Sequence, residues 1–168
     1  MRLFISINIP KELHPYCTEM QSHFPGIKKT REFHLTIQFL DNYIDEDHVE
    51  KIVSALKTIE FEPFEIEMRD ALIYPSPFQP RGAWLECKRS DDFLHLSTSI
   101  RNSMSKVGFV PDKPFKPHIT LGRYKKPPTV RPQIVIGKSH KFIVKNFYLM
   151  KSTLTADGAI YEVMQKFG

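Results

Sequence analysis

Cysteine is scarce in this 168-residue chain, and long apolar runs are absent. The only cysteines, Cys17 and Cys87, are too few and too far apart for a disulfide scaffold or a zinc site. The first apolar run, residues 1–7, is too short for a signal peptide or a membrane span, so it predicts a first strand. No linker or low-complexity tract divides the chain. We therefore expect one domain over residues 1–168, in a reducing cytoplasm and without membrane association.

The composition is that of a basic globular protein. Apolar residues make up 41% of the chain and aromatic residues 12%, which excludes a disordered polypeptide. Lysine and arginine outnumber the acidic residues by 24 to 19, with basic runs at 28–31, 123–126 and 138–141. Such runs often form ordinary solvated surface, but they also attract phosphates. Two of them flank the motif described next, which favours a polyanionic partner.

A four-residue pattern occurs twice. The sequence His-Leu-Thr-Ile at 34–37 returns as His-Ile-Thr-Leu at 118–121. On a strand, each histidine shares a face with its threonine, and the apolar residues face the other way into a core. By chance such a pattern is expected roughly 0.06 times in a chain of this composition. A single strand histidine is commonly a hydrogen-bonded structural residue, but a matched pair predicts one site with two imidazoles and two hydroxyls.

A looser copy, His-Leu-Ser-Thr at 95–98, lies in a different context. The apolar residues around it recur at helical spacing, at positions 93, 96, 100, 104 and 107. On a helix, a residue and the second one after it do not share a face. We therefore exclude His95 from the predicted site.

The order of predicted elements indicates an α+β domain. Strands are expected at 3–9, 33–40, 64–74, 83–88, 118–124, 141–154 and 160–167, and helices at 11–24, 45–59 and 91–107. Strands and helices do not alternate as they do in a parallel sheet. We expect two pseudo-symmetric lobes of antiparallel sheet, with helices on the outside and one motif on each side of a cleft.

Several segments, taken together, resemble the two-histidine phosphoesterases. Within that superfamily they are similar to the LigT-like RNA 2′,3′-cyclic phosphodiesterases, also called 2′-5′ RNA ligases. The similar segments are residues 2–7, 33–40, 117–123 and 149–154, followed by Gly158 and Tyr161. One departure is Asp41, which stands where that branch usually has a glycine. Another is Pro15, which makes the first helix less regular.

The resemblance implies a role for each motif residue. His34 would be the general acid that protonates the leaving oxygen, and His118 the base that activates water. From the residues alone the two roles are interchangeable, because an imidazole with a pKa near 6.5 can serve in either. Thr36 and Thr120 would donate hydrogen bonds to phosphate oxygens.

The resemblance also implies that Arg123 contacts phosphate. Strict alternation along the strand places Arg123 on the face opposite His118, unless a bulge at Gly122 turns it back. Phe4 and Tyr161 are candidates for stacking on a base, although core packing is the simpler interpretation.

We expect no metal and no cofactor, because no acidic cluster accompanies the motif histidines. The expected partner is RNA or an oligonucleotide with a 2′,3′-cyclic phosphate end, bound by a monomer without a protein partner. The predicted reaction is hydrolysis of that end to a 2′-phosphate. The reverse reaction, 2′-5′ ligation of RNA, remains open, as does a non-catalytic module that only binds RNA ends.

Overall fold

The computed structural model describes all residues, 1–168. The strands are β1 Arg2–Asn8, β2 Ile27–Lys29, β3 His34–Asp41, β4 Phe64–Ser76, β5 Gln79–Cys87, β6 His118–Tyr124, β7 His140–Val144, β8 Phe147–Thr155 and β9 Gly158–Phe167. The helices are α1 His14–Gln21, α2 Glu46–Leu56 and α3 Asp91–Lys106, and a 3-10 turn at Lys11–Leu13 precedes α1. None of the helices is long and apolar enough to cross a membrane.

The nine strands form one antiparallel sheet with two matching halves. Its order is β7-β4-β5-β6-β3-β1-β8-β9, and β2 pairs with β6 outside this path. Each half therefore has four strands, with a motif strand, β3 or β6, at the centre of the sheet. The halves meet where β3 pairs with β6. This arrangement confirms the α+β class and the two pseudo-symmetric lobes, and it shows that the lobes share a single sheet.

The core is continuous across both halves. It contains 34 buried apolar residues in one cluster. The apolar motif residues belong to it: Leu35, Ile37, Ile119 and Leu121 are at most 3% exposed. Helix α1 packs against β5 and β6, whereas α3 packs against β3 and β4. The helices and the core thus cover one face of the central strands and leave the face with the histidines open.

Side chains cap two of the helices at their predicted starts. The Asp45 carboxylate accepts a hydrogen bond from the backbone N–H of His48 at 2.9 Å, and the Ser90 hydroxyl accepts one from Phe93 at 3.2 Å. Such caps satisfy N–H groups that have no partner within the helix. His95 lies on α3, as the apolar spacing predicts. Pro15 falls in the first turn of α1, where a missing N–H costs nothing.

The prediction of one strand over 141–154 is wrong. The chain leaves the sheet at 145–146, because β7 pairs with β4 at one edge and β8 pairs with β1 in the other half. The short strand β2 was not predicted, since its pairing with β6 joins residues about ninety positions apart. At Asp41, the side chain accepts hydrogen bonds from the backbone N–H groups of Asn42 and Tyr43, at 2.5 and 3.2 Å. This carboxylate stabilises the turn after β3, at the position where the resemblance implies a glycine.

Candidate active site

The pairing of β3 with β6 brings the two motifs together in a crossed arrangement. The only register pair between these strands joins the apolar residues in the middle of the motifs, at positions 35 and 119. In an antiparallel pair, the register continues by one residue in each direction. His34 then lies across from Thr120, and Thr36 lies across from His118. This register places each imidazole beside the hydroxyl of the other motif, so the pairing brings both motifs to one place on the sheet.

Each motif strand has a bulge directly after its threonine. Between β1 and β3 the register shifts so that Ile37 has no partner, and between β5 and β6 it shifts so that Leu121 has none. A bulge sets two residues of one strand against one residue of the next and turns the side chains that follow. The bulge in β6 lies directly before Gly122, so of the two alternatives for Arg123 the structure has the one with a bulge.

The bulge directs Arg123 toward the site. Its side chain is exposed. Its positive charge adds to the lowering of the pKa of His118 that burial causes, and it opposes the rise in the pKa of Tyr161 that burial causes. Because His118 and Tyr161 belong to different halves of the sheet, a guanidinium that affects both lies near the place where the halves meet. Gly122 is required there, because an added Cβ would lie 2.6 Å from the carbonyl oxygen of Lys28 on β2. The geometry is therefore compatible with the phosphate contact that the resemblance implies for Arg123.

His34 lies in an aromatic pocket. Its ring centroid is 5.0 Å from that of Phe4 and 4.8 Å from that of Tyr161, which meets it edge to face. Burial, and to a lesser extent the neighbouring charge of His118, lower the pKa of His34 to about 4. Phe4 is only 4% exposed and lies outside the main core cluster, against the His34 ring, whereas Tyr161 is half-buried. The imidazole of His34 is therefore neutral at pH 7 in the free protein.

His118 has different neighbours. Its ring stacks on the Trp84 indole at a centroid distance of 3.6 Å and an angle of 12°. Its Nδ1 lies 2.6 Å from the carbonyl oxygen of Lys116. Because a carbonyl can only accept, Nδ1 carries the hydrogen and donates it, which leaves Nε2 to exchange a proton with a substrate.

The pKa of His118 is also lowered, chiefly by burial and less by the charge of Arg123. The hydrogen bond to Lys116 opposes this shift, because it stabilises the protonated ring. The pKa of His34 receives no such support. In the free protein, these surroundings favour a proton on His118 over one on His34. For His34 to act as the acid, the substrate phosphate must supply the charge that raises its pKa.

Trp84 was not predicted as a site residue. It is on β5, where it lies across from Thr120, and its other neighbour is Tyr74, at a ring-centroid distance of 4.3 Å. The sequence contains a single tryptophan, but nothing near it indicates contact with a histidine 34 positions away. Only the pairing of β5 with β6 reveals it.

Two further features bear on chemistry at this site. A cleft of about 490 Å³ opens beside His118 along β4 and β5, and His34 is not among the residues that line it. No three histidine, cysteine, aspartate or glutamate side chains cluster as metal ligands would. Metal-independent chemistry remains a prediction, and chelation tests it.

Comparison with known proteins supplies the family. The profile of the 2′-5′ RNA ligase superfamily matches residues 9–153. An RNA 2′,3′-cyclic phosphodiesterase of Archaeoglobus fulgidus is 31% identical over 177 residues, and the alignment covers 99% of each chain. One of Thermus thermophilus is also 31% identical and covers 99% of this chain and 89% of its own. This chain belongs to the 2′-5′ RNA ligase superfamily.

Solved structures share the fold. The crystal structure of TT0787 of Thermus thermophilus superposes with a TM-score of 0.87 at 29% identity, over 99% of this chain and 97% of that one. E. coli LigT complexed with 3′-AMP superposes with a TM-score of 0.83 at 24% identity, over 98% and 95%. These likenesses confirm the architecture of a LigT-like two-histidine phosphoesterase.

Proposed function

We propose that this protein is an RNA 2′,3′-cyclic phosphodiesterase that opens terminal cyclic phosphates to 2′-phosphates without a metal. The crossed placement of His34 beside Thr120 and of His118 beside Thr36 carries the proposal. Full-length relatives at about 30% identity are named for this activity. We propose further that residues 1–168 act as a single domain, as a monomer in the cytoplasm, on RNA or oligonucleotide ends.

The two imidazoles divide the proton transfers. His118 accepts a proton from water through Nε2 while the water oxygen forms a bond to phosphorus. The bond from phosphorus to the 3′-oxygen breaks, and His34 gives that oxygen a proton. The phosphate remains on the 2′-oxygen. Each transfer of this kind contributes about 10²–10⁴-fold to a rate.

The hydroxyls stabilise the charge that grows on phosphorus. Thr36 and Thr120 donate hydrogen bonds to non-bridging oxygens, and Arg123 adds its positive charge from the opening of the site. A planar guanidinium suits phosphate oxygens, because it donates two parallel hydrogen bonds. The phosphate also raises the pKa of both imidazoles, so that one of them holds a proton near neutral pH.

The test uses an RNA oligonucleotide that ends in a 2′,3′-cyclic phosphate. We expect a product with a terminal 2′-phosphate, resolved chromatographically from the 3′ isomer, and unchanged turnover in excess EDTA. A 3′-phosphate product would reverse the assignment of the breaking bond. Tight binding of the RNA without turnover would identify a module that only binds RNA ends. Loss of turnover in EDTA, restored by a divalent ion, would contradict the metal-independent mechanism.

A further inference from the structure

We infer that Trp84 is a positioning residue for the proposed base: its indole holds the plane of the His118 ring and stabilises the imidazolium that forms when Nε2 takes a proton. The inference rests on the proposed function, because it concerns the step in which water loses a proton to His118. It assigns to Trp84 an effect on the reaction that is transmitted through the imidazole.

Three rings form a continuous stack across three neighbouring strands. Tyr74 on β4 stacks on Trp84 on β5 at a centroid distance of 4.3 Å and an angle of 27°, and Trp84 stacks on His118 on β6 at 3.6 Å and 12°. The register pairs Trp84 with Thr120, two residues beyond His118, so the indole and the imidazole are diagonal neighbours on one face of the sheet. The order of the rings therefore follows from the order of the strands.

A glycine makes room for the outer ring of the stack. Gly82 lies across from Tyr74 in the register of β4 with β5. An added Cβ at Gly82 would lie 2.5 Å from the Tyr74 hydroxyl oxygen and 2.7 Å from Cε1 of its ring. Because β4 and β6 lie on opposite sides of β5, Tyr74 and His118 contact opposite faces of the indole. The Trp84 ring is therefore held between them.

The indole and the carbonyl of Lys116 restrain different motions of the His118 ring. The hydrogen bond from Nδ1 to that carbonyl, at 2.6 Å, selects the tautomer and sets the direction of the ring within its plane. A parallel indole at 3.6 Å restrains the plane itself, because a tilted imidazole would collide with it. Together the two contacts aim Nε2 in one direction, as proton transfer by a positioned base requires.

An indole also attracts a protonated imidazole more strongly than a neutral one. The face of its π-system carries negative charge, and tryptophan is the aromatic side chain that binds cations best. His118 is neutral before it takes a proton and positively charged afterwards, so the attraction grows as the proton moves. An interaction that is stronger in the transition state than in the bound substrate raises kcat.

The proposed acid has no parallel ring against it. The centroids of Phe4 and Tyr161 lie 5.0 and 4.8 Å from that of His34, and their planes are inclined to its ring by 38° and 74°. Support for the protonated form would hinder His34, which must give its proton to the leaving oxygen. The parallel stack is therefore on the histidine whose task it favours.

The charged groups around His118 are separate from this effect. His34 faces it from β3, Arg123 follows it on β6, and Glu86 on β5 is paired with it. The other charged side chains line the cleft beside it: Glu67, Arg69, Asp70, Lys88, Arg89 and Lys116. Replacing Trp84 with an uncharged residue alters none of these charges. A change in the proton affinity of His118 then reports the loss of the indole.

The first experiment uses the single tryptophan of the chain as a probe of the stack. A protonated imidazole in contact with an indole quenches its fluorescence, whereas a neutral imidazole does so only weakly. We expect the emission of the wild type to fall as the pH decreases from about 8 to about 4, and the fall to be absent in His118→Gln. His95→Gln, which replaces an exposed histidine on α3, is the control and should keep the transition.

The second experiment measures the pKa of His118 by NMR titration of its imidazole in two variants. Trp84→Leu keeps an apolar side chain and removes the π-system, whereas Trp84→Phe keeps a smaller ring. We expect the pKa to be highest in the wild type, intermediate in Trp84→Phe and lowest in Trp84→Leu, about half a pH unit below the wild type.

Steady-state kinetics on a 2′,3′-cyclic nucleotide completes the test. We expect kcat to follow the same order, with a loss of about tenfold in Trp84→Leu, partial rescue in Trp84→Phe and a KM within about twofold of the wild type. Tyr43→Leu, which removes a ring that is 92% exposed, is the control and should change neither kcat nor the pKa of His118. Circular dichroism checks that the variants fold.

Three results would overturn the inference. Emission that does not depend on His118 would show that the two rings are not in contact. A pKa of His118 that is unchanged or higher in Trp84→Leu would show that the indole only excludes water. A higher KM with an unchanged kcat would assign Trp84 to substrate binding. Absence of turnover in the wild type would instead reject the proposed function, and the two titrations would still decide whether Trp84 sets the proton affinity of His118.

Discussion

His34 and His118 occupy equivalent positions in the two halves of the sheet, but their surroundings differ. His34 is enclosed by the rings of Phe4 and Tyr161. His118 stacks on Trp84 and donates a hydrogen bond from Nδ1 to the carbonyl of Lys116. Both strands bulge directly after the motif threonine, so the backbones match while the neighbours do not. Equivalent backbone positions thus hold two imidazoles with different neighbours and different affinities for a proton.

In the proposed mechanism, this difference bears directly on the two proton transfers. A ring enclosed by aromatic side chains resists protonation, because nothing near it replaces the water that stabilises a charge. A ring held by a backbone carbonyl keeps one tautomer and orientation. The cleft of about 490 Å³ lies on the side of His118. The two halves therefore hold the proposed base and the proposed acid in different surroundings.

The largest expected effect comes from removing either imidazole. We expect His34→Ala and His118→Ala each to lower kcat for a 2′,3′-cyclic nucleotide by about 10²–10⁴-fold. His95→Ala is the matched control: its histidine belongs to the looser copy of the motif on α3, is exposed and should not affect turnover. Circular dichroism checks that all three variants fold. Wild-type turnover in either motif variant would contradict the two-histidine mechanism.

A smaller effect is expected from the hydroxyls. Thr36→Val and Thr120→Val keep the shape of the side chain and remove one donor each. We expect each to lower kcat/KM about 10- to 100-fold, since a hydrogen bond to a charged group contributes about 1.5–3 kcal/mol. The crossed arrangement predicts similar losses at the two positions, measured by steady-state kinetics. A loss at only one of them would show that a single half holds the phosphate.

The smallest expected effect is on the pH dependence of stability. The pKa of His34 is about 4 in the folded protein, against about 6.5 for an exposed histidine. The unfolded chain therefore binds the proton first, and stability falls as the pH decreases from about 6.5 to about 4. The contribution of His34 to this loss is at most about 3 kcal/mol.

Urea unfolding of the wild type and of His34→Gln at pH 7, 5.5 and 4 measures this contribution. Because glutamine does not titrate, the wild type should lose more stability across this range than the variant. His118→Gln provides the comparison: its effect should be smaller, because the hydrogen bond to Lys116 opposes the lowering of its pKa. A larger effect at His118 than at His34 would reverse the contrast between the two surroundings.

Much of the fold follows from local patterns in the sequence. The alternation around 34–37 and 118–121 predicts strands, and the structure places both histidines on the open face. The apolar spacing around His95 predicts α3, and the acidic opening at 45–47 predicts the start of α2. These predictions hold because the spacing of apolar residues only a few positions apart determines which face of a strand or helix is buried.

Other features depend on contacts between distant segments. The break at 145–146 has no turn signal of its own, since it arises where β7 and β8 pair with opposite halves of the sheet. Trp84 contacts His118 only because β5 pairs with β6. The glycine at position 122 made a bulge in β6 conceivable from the sequence. Only the structure shows that the missing side chain of Gly122 also makes room for β2.

The sequence by itself determined which side chains are available for chemistry: two histidines, each with a threonine on its own strand face, in a basic chain without an apparent metal site. The tertiary structure decided that β3 and β6 pair in the register that places each histidine beside the threonine of the other motif. It also decided that Trp84, Lys116 and the cleft lie beside His118 and not beside His34. The physical reason is the range of the interactions. Strand faces follow from the backbone of a few residues, whereas strand partners, burial and pKa values follow from segments that meet only when the sheet is complete.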